Sequence, residues 1–291
     1  MIVDGTLGAG GHSQALLEAG ASVLGIDRDP RALAAARERL APFGERFRAV
    51  QGDFGAVAQM IDAPVDGLLL DLGVSSPQFD EPSRGFSFQA DGPLDMRMGD
   101  EGLTAAELIE SLEEQELAAV IFEFGEERFS RQIARALKFT LPQTTLAAVK
   151  AIEGAVPRRS WPEKIHVATR TFQALRIKVN EELGQLDDAL KALPQVLEPG
   201  GVAAIISFHS LEDRKVKQAF KALCGDVPDD LPRGLPMIPV KVDAAFEALT
   251  KKPIIADDEE VVSNPRARSA KLRAIQKVGG SPAPSEEERE S

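Results

Sequence analysis

A glycine-rich turn that follows the first strand-like segment restricts the fold more than any other stretch of the chain. Asp4 ends that segment, residues 5–12 read Gly-Thr-Leu-Gly-Ala-Gly-Gly-His, and an amphipathic helix is predicted from Ser13 to Ala19. Glycine lets a backbone turn tightly and approach a ligand that any side chain would hold away. A strand, a glycine-rich turn and a helix N-terminus together are typical of a nucleotide-type cofactor site.

Strand-like runs alternate with helical patterns in the sequence that follows. The runs are residues 2–3, 22–26, 47–51 and 65–70, and a further apolar strand is predicted at 202–208. Such alternation predicts a parallel α/β sheet. Between the fourth and fifth strands lie a polar loop over 72–100 and helical patterns over 104–155, in which Thr104 and Glu107 form a capping box. We expect an α/β, Rossmann-like sheet with a helical insertion.

The composition shifts set the expected domain boundaries. They predict an α/β domain over 1–98 and 164–277, a helical insertion over 99–163 that selects substrate, and a disordered tail over 278–291. The Pro- and Asp-rich segment 225–239 is predicted to be a surface excursion. A single cysteine, no membrane-length apolar run and no signal peptide favour a reduced, cytoplasmic setting.

The charge is unevenly distributed. A net charge of −12 argues against a nucleic-acid partner when taken alone, because phosphate binding needs Lys and Arg. Two segments are nevertheless basic: one contains Arg158, Arg159, Lys164, Arg170, Arg176 and Lys178, and the other contains Arg266, Arg268, Lys271, Arg273 and Lys277. Solvated helix faces explain either segment by itself. Two of them in an acidic chain favour a site for an anionic substrate.

The glycine turn fits two cofactor templates in part. The dinucleotide pattern G-x-G-x-x-G matches Gly8 and Gly10 but then meets Ser13. The methyltransferase pattern D-x-G-x-G-x-G matches Asp4, Gly8 and Gly10, with Thr6 in place of its first glycine.

Residues at the predicted strand ends favour an adenosine-type cofactor. Asp27 ends the second strand, where a carboxylate accepts both ribose hydroxyls; the alternative is a helix N-cap. Phe54 follows the third strand, where it lies against an adenine ring or in the core. Asp71 ends the fourth strand, at the edge where open α/β sheets bind ligands.

Longer motifs resemble a known family. They are residues 71–78 (DLGVSSPQ), 84–88 (RGFSF), 91–98 (DGPLDMRM), 168–177 (ATRTFQALRI), 207–214 (SFHSLEDR) and 264–269 (NPRARS). With these motifs the chain resembles the bacterial small-subunit ribosomal RNA (cytosine-N4)-methyltransferases, the MraW family, from residue 1 to about residue 277.

The resemblance implies S-adenosylmethionine as cofactor and a cytidine in the decoding region of 16S ribosomal RNA, within the small subunit, as methyl acceptor. It implies no metal and no membrane. It places the cofactor contacts at Gly10, Gly11, His12, Asp27, Phe54, Asp71 and Gln78. Asp71 is the expected catalytic residue, because a hydrogen-bond acceptor there localises the lone pair of the cytosine amine and takes its proton; the alternative is that Asp71 contacts only the cofactor. Arg170 and Arg176 are the expected RNA-binding residues.

The chain departs from the family pattern in places. Family members usually begin with a further stretch that contains His-x-Pro-Val-Leu, and we expect one side of the cofactor pocket to depend on it. Val167 stands where the family commonly has proline.

Two other functions stay open. A non-catalytic RNA-binding or ribosome-assembly factor would not need Asp27 and Asp71, and an NAD-dependent oxidoreductase is disfavoured by the glycine spacing. His209 and Glu212 face either solvent or site.

Overall fold

The computed structural model describes residues 1–225 and 244–279. The chain divides into two compact units: unit 1 comprises Met1–Gly73 and the described residues from Gly184 onward, and unit 2 comprises Val74–Leu183. The predicted surface excursion at 225–239 and the predicted tail at 278–291 lie outside the described residues, except for residues 225, 278 and 279.

Unit 1 is built on one mixed sheet. Its strands are β1 (Ile2–Asp4), β2 (Val23–Asp27), β3 (Phe47–Gln51), β4 (Val65–Asp71), β5 (Leu197–Ser207), β6 (Phe246–Ala248), β7 (Ile254–Ile255) and β8 (Lys271–Lys277). The spatial order is β3-β2-β1-β4-β5-β8-β6, and β7 also pairs with β8. The first five strands in this order are parallel, whereas β8 is antiparallel to β5. The predicted α/β, Rossmann-like sheet is confirmed.

The order of the strands locates the edge at which a ligand would bind. From β1 the chain builds outward to β2 and β3, and then returns to place β4 on the other side of β1. In open α/β sheets, ligands bind at the carboxyl ends of the strands at such a reversal. Asp4 ends β1 and Asp71 ends β4, so the reversal lies between these two carboxylates.

Helices cover the sheet and form most of the regular structure of unit 2. They are α1 (Gly11–Glu18), α2 (Pro30–Leu40), α3 (Val57–Met60), α4 (Ser76–Asp80), α5 (Ala105–Ser111), α6 (Glu114–Gly125), α7 (Ser130–Thr140), α8 (Thr145–Ala155), α9 (Thr169–Asn180), α10 (Glu182–Val196), α11 (Ser210–Leu223) and α12 (Asp258–Ser263). Among the helices that the structure describes, none is long and apolar enough to cross a membrane.

The apolar residues of the strands form the core of unit 1. Leu68 and Leu70 of β4 are fully buried in the same cluster as Ile26 of β2 and Leu193 of α10, whereas Leu69, on the other face of the strand, is half-buried. A smaller cluster under α1 and α2 contains Leu17. These contacts hold the strand ends in fixed positions at the carboxyl edge of the sheet.

The boundaries of unit 2 differ from the predicted insertion at 99–163. Leu94 and Met96, from the segment predicted as a loop, are buried in the same apolar cluster as Phe172 and Leu175 of α9. Because residues on both sides of the predicted insertion contribute to this core, the compact unit extends to 74–183. The segment 72–100 also contains α4 and a 3-10 turn at Pro82–Arg84. The predicted capping box at Thr104 is confirmed.

Candidate cofactor site

The glycine turn connects β1 to α1 through a left-handed residue. Gly10 has φ +79° and caps α1 with its backbone, while its amide donates to the Leu7 carbonyl at 2.8 Å. A Cβ at this position would lie 2.9 Å from a methyl carbon of Leu40 on α2. At Gly11 a Cβ would meet no atom within 4 Å. The turn therefore requires glycine at residue 10 and presents the first amides of α1 at the carboxyl edge of the sheet.

Asp71 is held from two sides. Its amide donates to the Thr6 hydroxyl at 2.6 Å, and its Oδ2 lies 3.1 Å from His12 Nε2. The Thr6 hydroxyl thus replaces a backbone carbonyl as acceptor for the Asp71 amide. It extends the hydrogen bonding between β1 and β4 beyond Asp4, the last residue of β1. The residue that breaks the methyltransferase glycine pattern therefore binds the backbone of Asp71, whose carboxylate contacts His12.

One oxygen of the Asp71 carboxylate is buried without a partner. Oδ1 has no hydrogen bond in the part of the chain that the structure describes, although its surroundings exclude water. Leaving a buried acceptor unpaired costs free energy that a ligand donor would recover. The hydrogen bond with the Asp71 carboxylate raises the pKa of His12 against the opposing effect of its burial.

Asp27 joins the end of β2 to the glycine turn. Its Oδ2 accepts from the Gly8 amide and its Oδ1 from the Asp29 amide, both at 2.8 Å. Burial raises the pKa of Asp27, and these amides partly oppose the rise. The alternative role for Asp27, the N-cap of the next helix, is taken by Asp29, whose carboxylate accepts from the Arg31 amide at the start of α2.

Phe54 begins a 3-10 turn directly after β3. It is half-buried and packs against the core cluster of unit 1, so the core contact that the sequence allowed is present. A Cβ on Gly5 would lie 3.2 Å from Phe54 Cβ, which places this ring beside the first residue of the turn.

Sequence reasoning missed Asp4, Ser13 and Thr6 as site residues. Asp4 is fully buried and accepts from the Ser13 hydroxyl at 2.7 Å, and burial raises its pKa. The partial match of Asp4 and Thr6 to the methyltransferase pattern was the signal available. Their bonds to Ser13 and Asp71 depend on the fold and have no local signature.

Three predicted site residues belong to unit 2. Gln78 is buried in α4, where its side-chain oxygen accepts from the Ser75 amide as part of a capping box. Arg176 donates from Nε and Nη2 to the two carboxylate oxygens of Glu182, each at 2.8 Å, and its side chain is only 18% exposed. This pair neutralises the charge that a phosphate contact would use. Arg170 is exposed and donates to the Glu126 carbonyl at 3.4 Å.

The second basic segment is largely paired within unit 1. Lys271 and Arg273 lie on β8, and both donate to the Asp213 carboxylate, which lowers the pKa of Asp213 against the opposing effect of its burial. Arg266 and Arg268 lie in a 3-10 turn and are exposed.

His209 and Glu212 form the N-terminal cap of α11. His209 Nδ1 accepts from the Glu212 amide, and Glu212 Oε2 accepts from the Phe208 amide at 2.8 Å. Within the described ranges, no group of three or more His, Cys, Asp or Glu side chains is placed to hold a metal ion.

Comparison with known proteins places this geometry in a family. The profile of the MraW methylase family matches residues 1–278. The ribosomal RNA small subunit methyltransferase H of Anaeromyxobacter dehalogenans is 55% identical over 289 residues, which cover 96% of this chain and 92% of that protein. The protein of the same name from Myxococcus xanthus is 55% identical over 280 residues, covering 96% and 91%. That from Geobacter sulfurreducens is 50% identical over 295 residues, covering 95% and 92%.

Proposed function

This chain belongs to the MraW methylase family, and from that premise we propose that it methylates N4 of a cytidine in the decoding region of 16S ribosomal RNA. The methyl donor of the enzyme is S-adenosylmethionine. The predicted methyltransferase activity is thereby confirmed, whereas the nucleotide and the acceptor atom are the proposal. The relatives carry ribosomal RNA and the small subunit in their names, and this supports the same substrate here.

The residues of unit 1 fit the cofactor. Gly10 and Gly11 present the α1 amides, where a carboxylate group binds favourably. Asp27 offers acceptor oxygens at the end of β2, the position at which ribose hydroxyls are bound in related folds. Phe54 lies beside the turn and provides an apolar surface for adenine. The proposed cofactor contacts in unit 1 are Gly10, Gly11, His12, Asp27, Phe54 and Asp71. Gln78, of unit 2, stays a prediction from the resemblance.

The unpaired Oδ1 of Asp71 carries the chemical part of the proposal. The bound cofactor supplies a methyl group activated by a positive sulfur. The cytosine N4 lone pair is delocalised into the ring, and a hydrogen bond from the amine to Asp71 Oδ1 localises it. As the N4–methyl bond would form and the methyl–sulfur bond of the donor would break, the amine would lose a proton, which Oδ1 would accept while His12 holds Oδ2.

Unit 2 is proposed to recognise the RNA. Arg170 is exposed and serves as a phosphate contact. Arg176 supports the same helix through its pair with Glu182. The acceptor is proposed to be the RNA within the small ribosomal subunit, which places the reaction in the cytoplasm.

Methyl transfer to small subunits from cells that lack the modification tests this function, with the methylated nucleotide located by mass spectrometry. The wild type should add one methyl group at N4 of a decoding-region cytidine. Asp71→Ala should lower kcat/KM at least about 10²-fold, while the control Asp66→Asn, at the exposed opposite end of β4, should keep wild-type activity. Methylation at another atom, or near-normal turnover of Asp71→Ala, contradicts the proposal.

A further inference from the structure

Helices α6 and α7 of unit 2 enclose a surface groove of about 930 Å³. Arg131 and Arg135 of α7 line it together with Arg128, which precedes that helix, and Phe122 lines it from α6. None of these residues belongs to the cofactor site or to the two basic segments found in the sequence. We name this feature the α6–α7 groove.

The α6–α7 groove is locally positive in an acidic protein. Three arginines line it against one carboxylate, that of Glu114, whereas the whole chain carries a net charge of −12. Glu114 accepts from Arg135 Nε at 3.2 Å, but these side chains are 44% and 75% exposed. An exposed pair of this kind contributes little free energy, so Arg135 can exchange this partner for another anion.

The arginines follow the groove and do not converge on one point. Arg131 and Arg135 are four residues apart and therefore lie on one face of α7, about 6 Å apart along its axis. Arg128 stacks on the Phe129 ring, 4.8 Å from its centroid, and extends the row toward the start of the helix. A row of guanidinium groups matches a polyanion better than a single small anion.

An exposed aromatic ring stands in the same groove. Phe122 is 63% exposed although its helix neighbour Ile121 is fully buried. Proteins that bind single-stranded nucleic acid combine a positive groove along the backbone with aromatic rings on which bases stack. The side-chain amides of Gln115 and Gln132, also in the lining, add hydrogen-bonding groups.

We propose that the α6–α7 groove binds a single-stranded segment of the RNA substrate, with phosphates on Arg128, Arg131 and Arg135 and one base stacked on Phe122. The identity of the RNA rests on the proposed function. The positive row disfavours an apolar peptide as the occupant.

Binding of an oligouridylate single strand, measured over a salt series, tests the groove directly. The double variant Arg128→Ala/Arg131→Ala should bind with a less negative slope of log binding constant against log salt concentration. The magnitude of the slope should fall by about 1.4, since each phosphate contact on a single strand contributes about 0.7. Phe122→Ala should weaken binding about tenfold and leave the slope unchanged, because stacking does not involve charge.

A matched control neutralises two charges elsewhere. Lys150→Ala with Lys251→Ala, both exposed, should change affinity less than about twofold. All variants should keep the circular dichroism spectrum and the thermal midpoint of the wild type, which shows that unit 2 still folds. Groove variants that bind the oligonucleotide with wild-type affinity and slope overturn the proposal. The proposal is also overturned if the groove variants differ from the wild type in molecular mass by light scattering while their RNA binding is intact. That result would identify the groove as a contact between copies of the chain.

The outcome for the groove is separable from that for the proposed function. A wild type that binds oligouridylate through the groove but methylates no small-subunit RNA supports the groove and contradicts the proposed function. A wild type that methylates small subunits, together with groove variants that methylate them equally well at all RNA concentrations, supports the function and contradicts the groove.

Discussion

Replacing Thr6 with valine tests whether a single hydroxyl positions the Asp71 carboxylate. Valine has nearly the shape of threonine, so the change removes the 2.6 Å hydrogen bond to the Asp71 amide and little else. That amide lies at the end of β4, next to β1, whose last residue is Asp4. The donor would lose its acceptor in a partly buried place.

The magnitude follows from the cost of an unpaired amide. We expect the free energy of unfolding to fall by about 1–3 kcal/mol, measured by urea titration. The affinity for S-adenosylmethionine, measured by calorimetry, should fall about tenfold, since the Asp71 carboxylate is no longer fixed toward its ligand; tenfold corresponds to about 1.4 kcal/mol.

Thr6→Ser is the matched control because it keeps the hydroxyl. It should retain most of the cofactor affinity, and its stability should lie closer to that of the wild type than to that of Thr6→Val. Equal affinity and stability for the valine variant and the wild type would refute the positioning role of Thr6. Equal losses in the serine and valine variants would instead assign the effect to the methyl group of threonine.

Three further perturbations follow from the geometry. Gly10→Ala should lower the free energy of unfolding by about 1–2 kcal/mol, and with it the thermal midpoint, because residue 10 has a left-handed backbone. Gly11→Ala should leave the midpoint nearly unchanged, because its Cβ meets no atom within 4 Å. Similar midpoints for the two variants would contradict this. Arg176→Ala should lower the free energy of unfolding, measured by urea titration, by about 3 kcal/mol, because the buried Glu182 carboxylate loses its cation. A loss below about 1 kcal/mol would show that the pair contributes no more than an exposed ion pair does. Burial raises the pKa of Asp27. Because the ribose hydroxyls donate to the ionised carboxylate, the affinity for the cofactor, measured by calorimetry, should fall as the pH falls through that raised pKa. An affinity that does not change with pH would contradict this.

Local sequence patterns predicted the strand ends because the relevant information is local. The apolar run Leu68–Leu70 followed by Asp71 predicts a strand that ends in a polar residue, and β4 ends at Asp71, although Leu69 is only half-buried. The same holds for the glycine turn, since a left-handed N-cap at Gly10 depends on a backbone property of that residue.

Ion pairs and core contacts between residues that are far apart in the chain could not be predicted from the sequence. The basic segment from Arg266 to Lys277 predicts either a solvated helix face or a site for an anionic substrate. Its residues Lys271–Lys277 instead form β8, and two of their cations pair with Asp213, about sixty residues earlier. The extent of unit 2 also depends on distant contacts, because Leu94 and Phe172 share a core that no local pattern reveals.

The interruption of unit 1 by unit 2 bears on how the chain folds during synthesis. β4 and β5 are neighbours in the sheet, but residues 72–196 lie between them in the chain. Unit 2 is continuous and encloses its own apolar cluster, so it can become compact before β5 leaves the ribosome. During that interval β4 is an edge strand with an unsatisfied ladder, the kind of surface that pairs with other chains. When unit 2 becomes compact early, the flexible chain that separates β4 from β5 is shorter, so the two strands pair at a lower entropic cost. This limits the time for which the edge of β4 is unpaired.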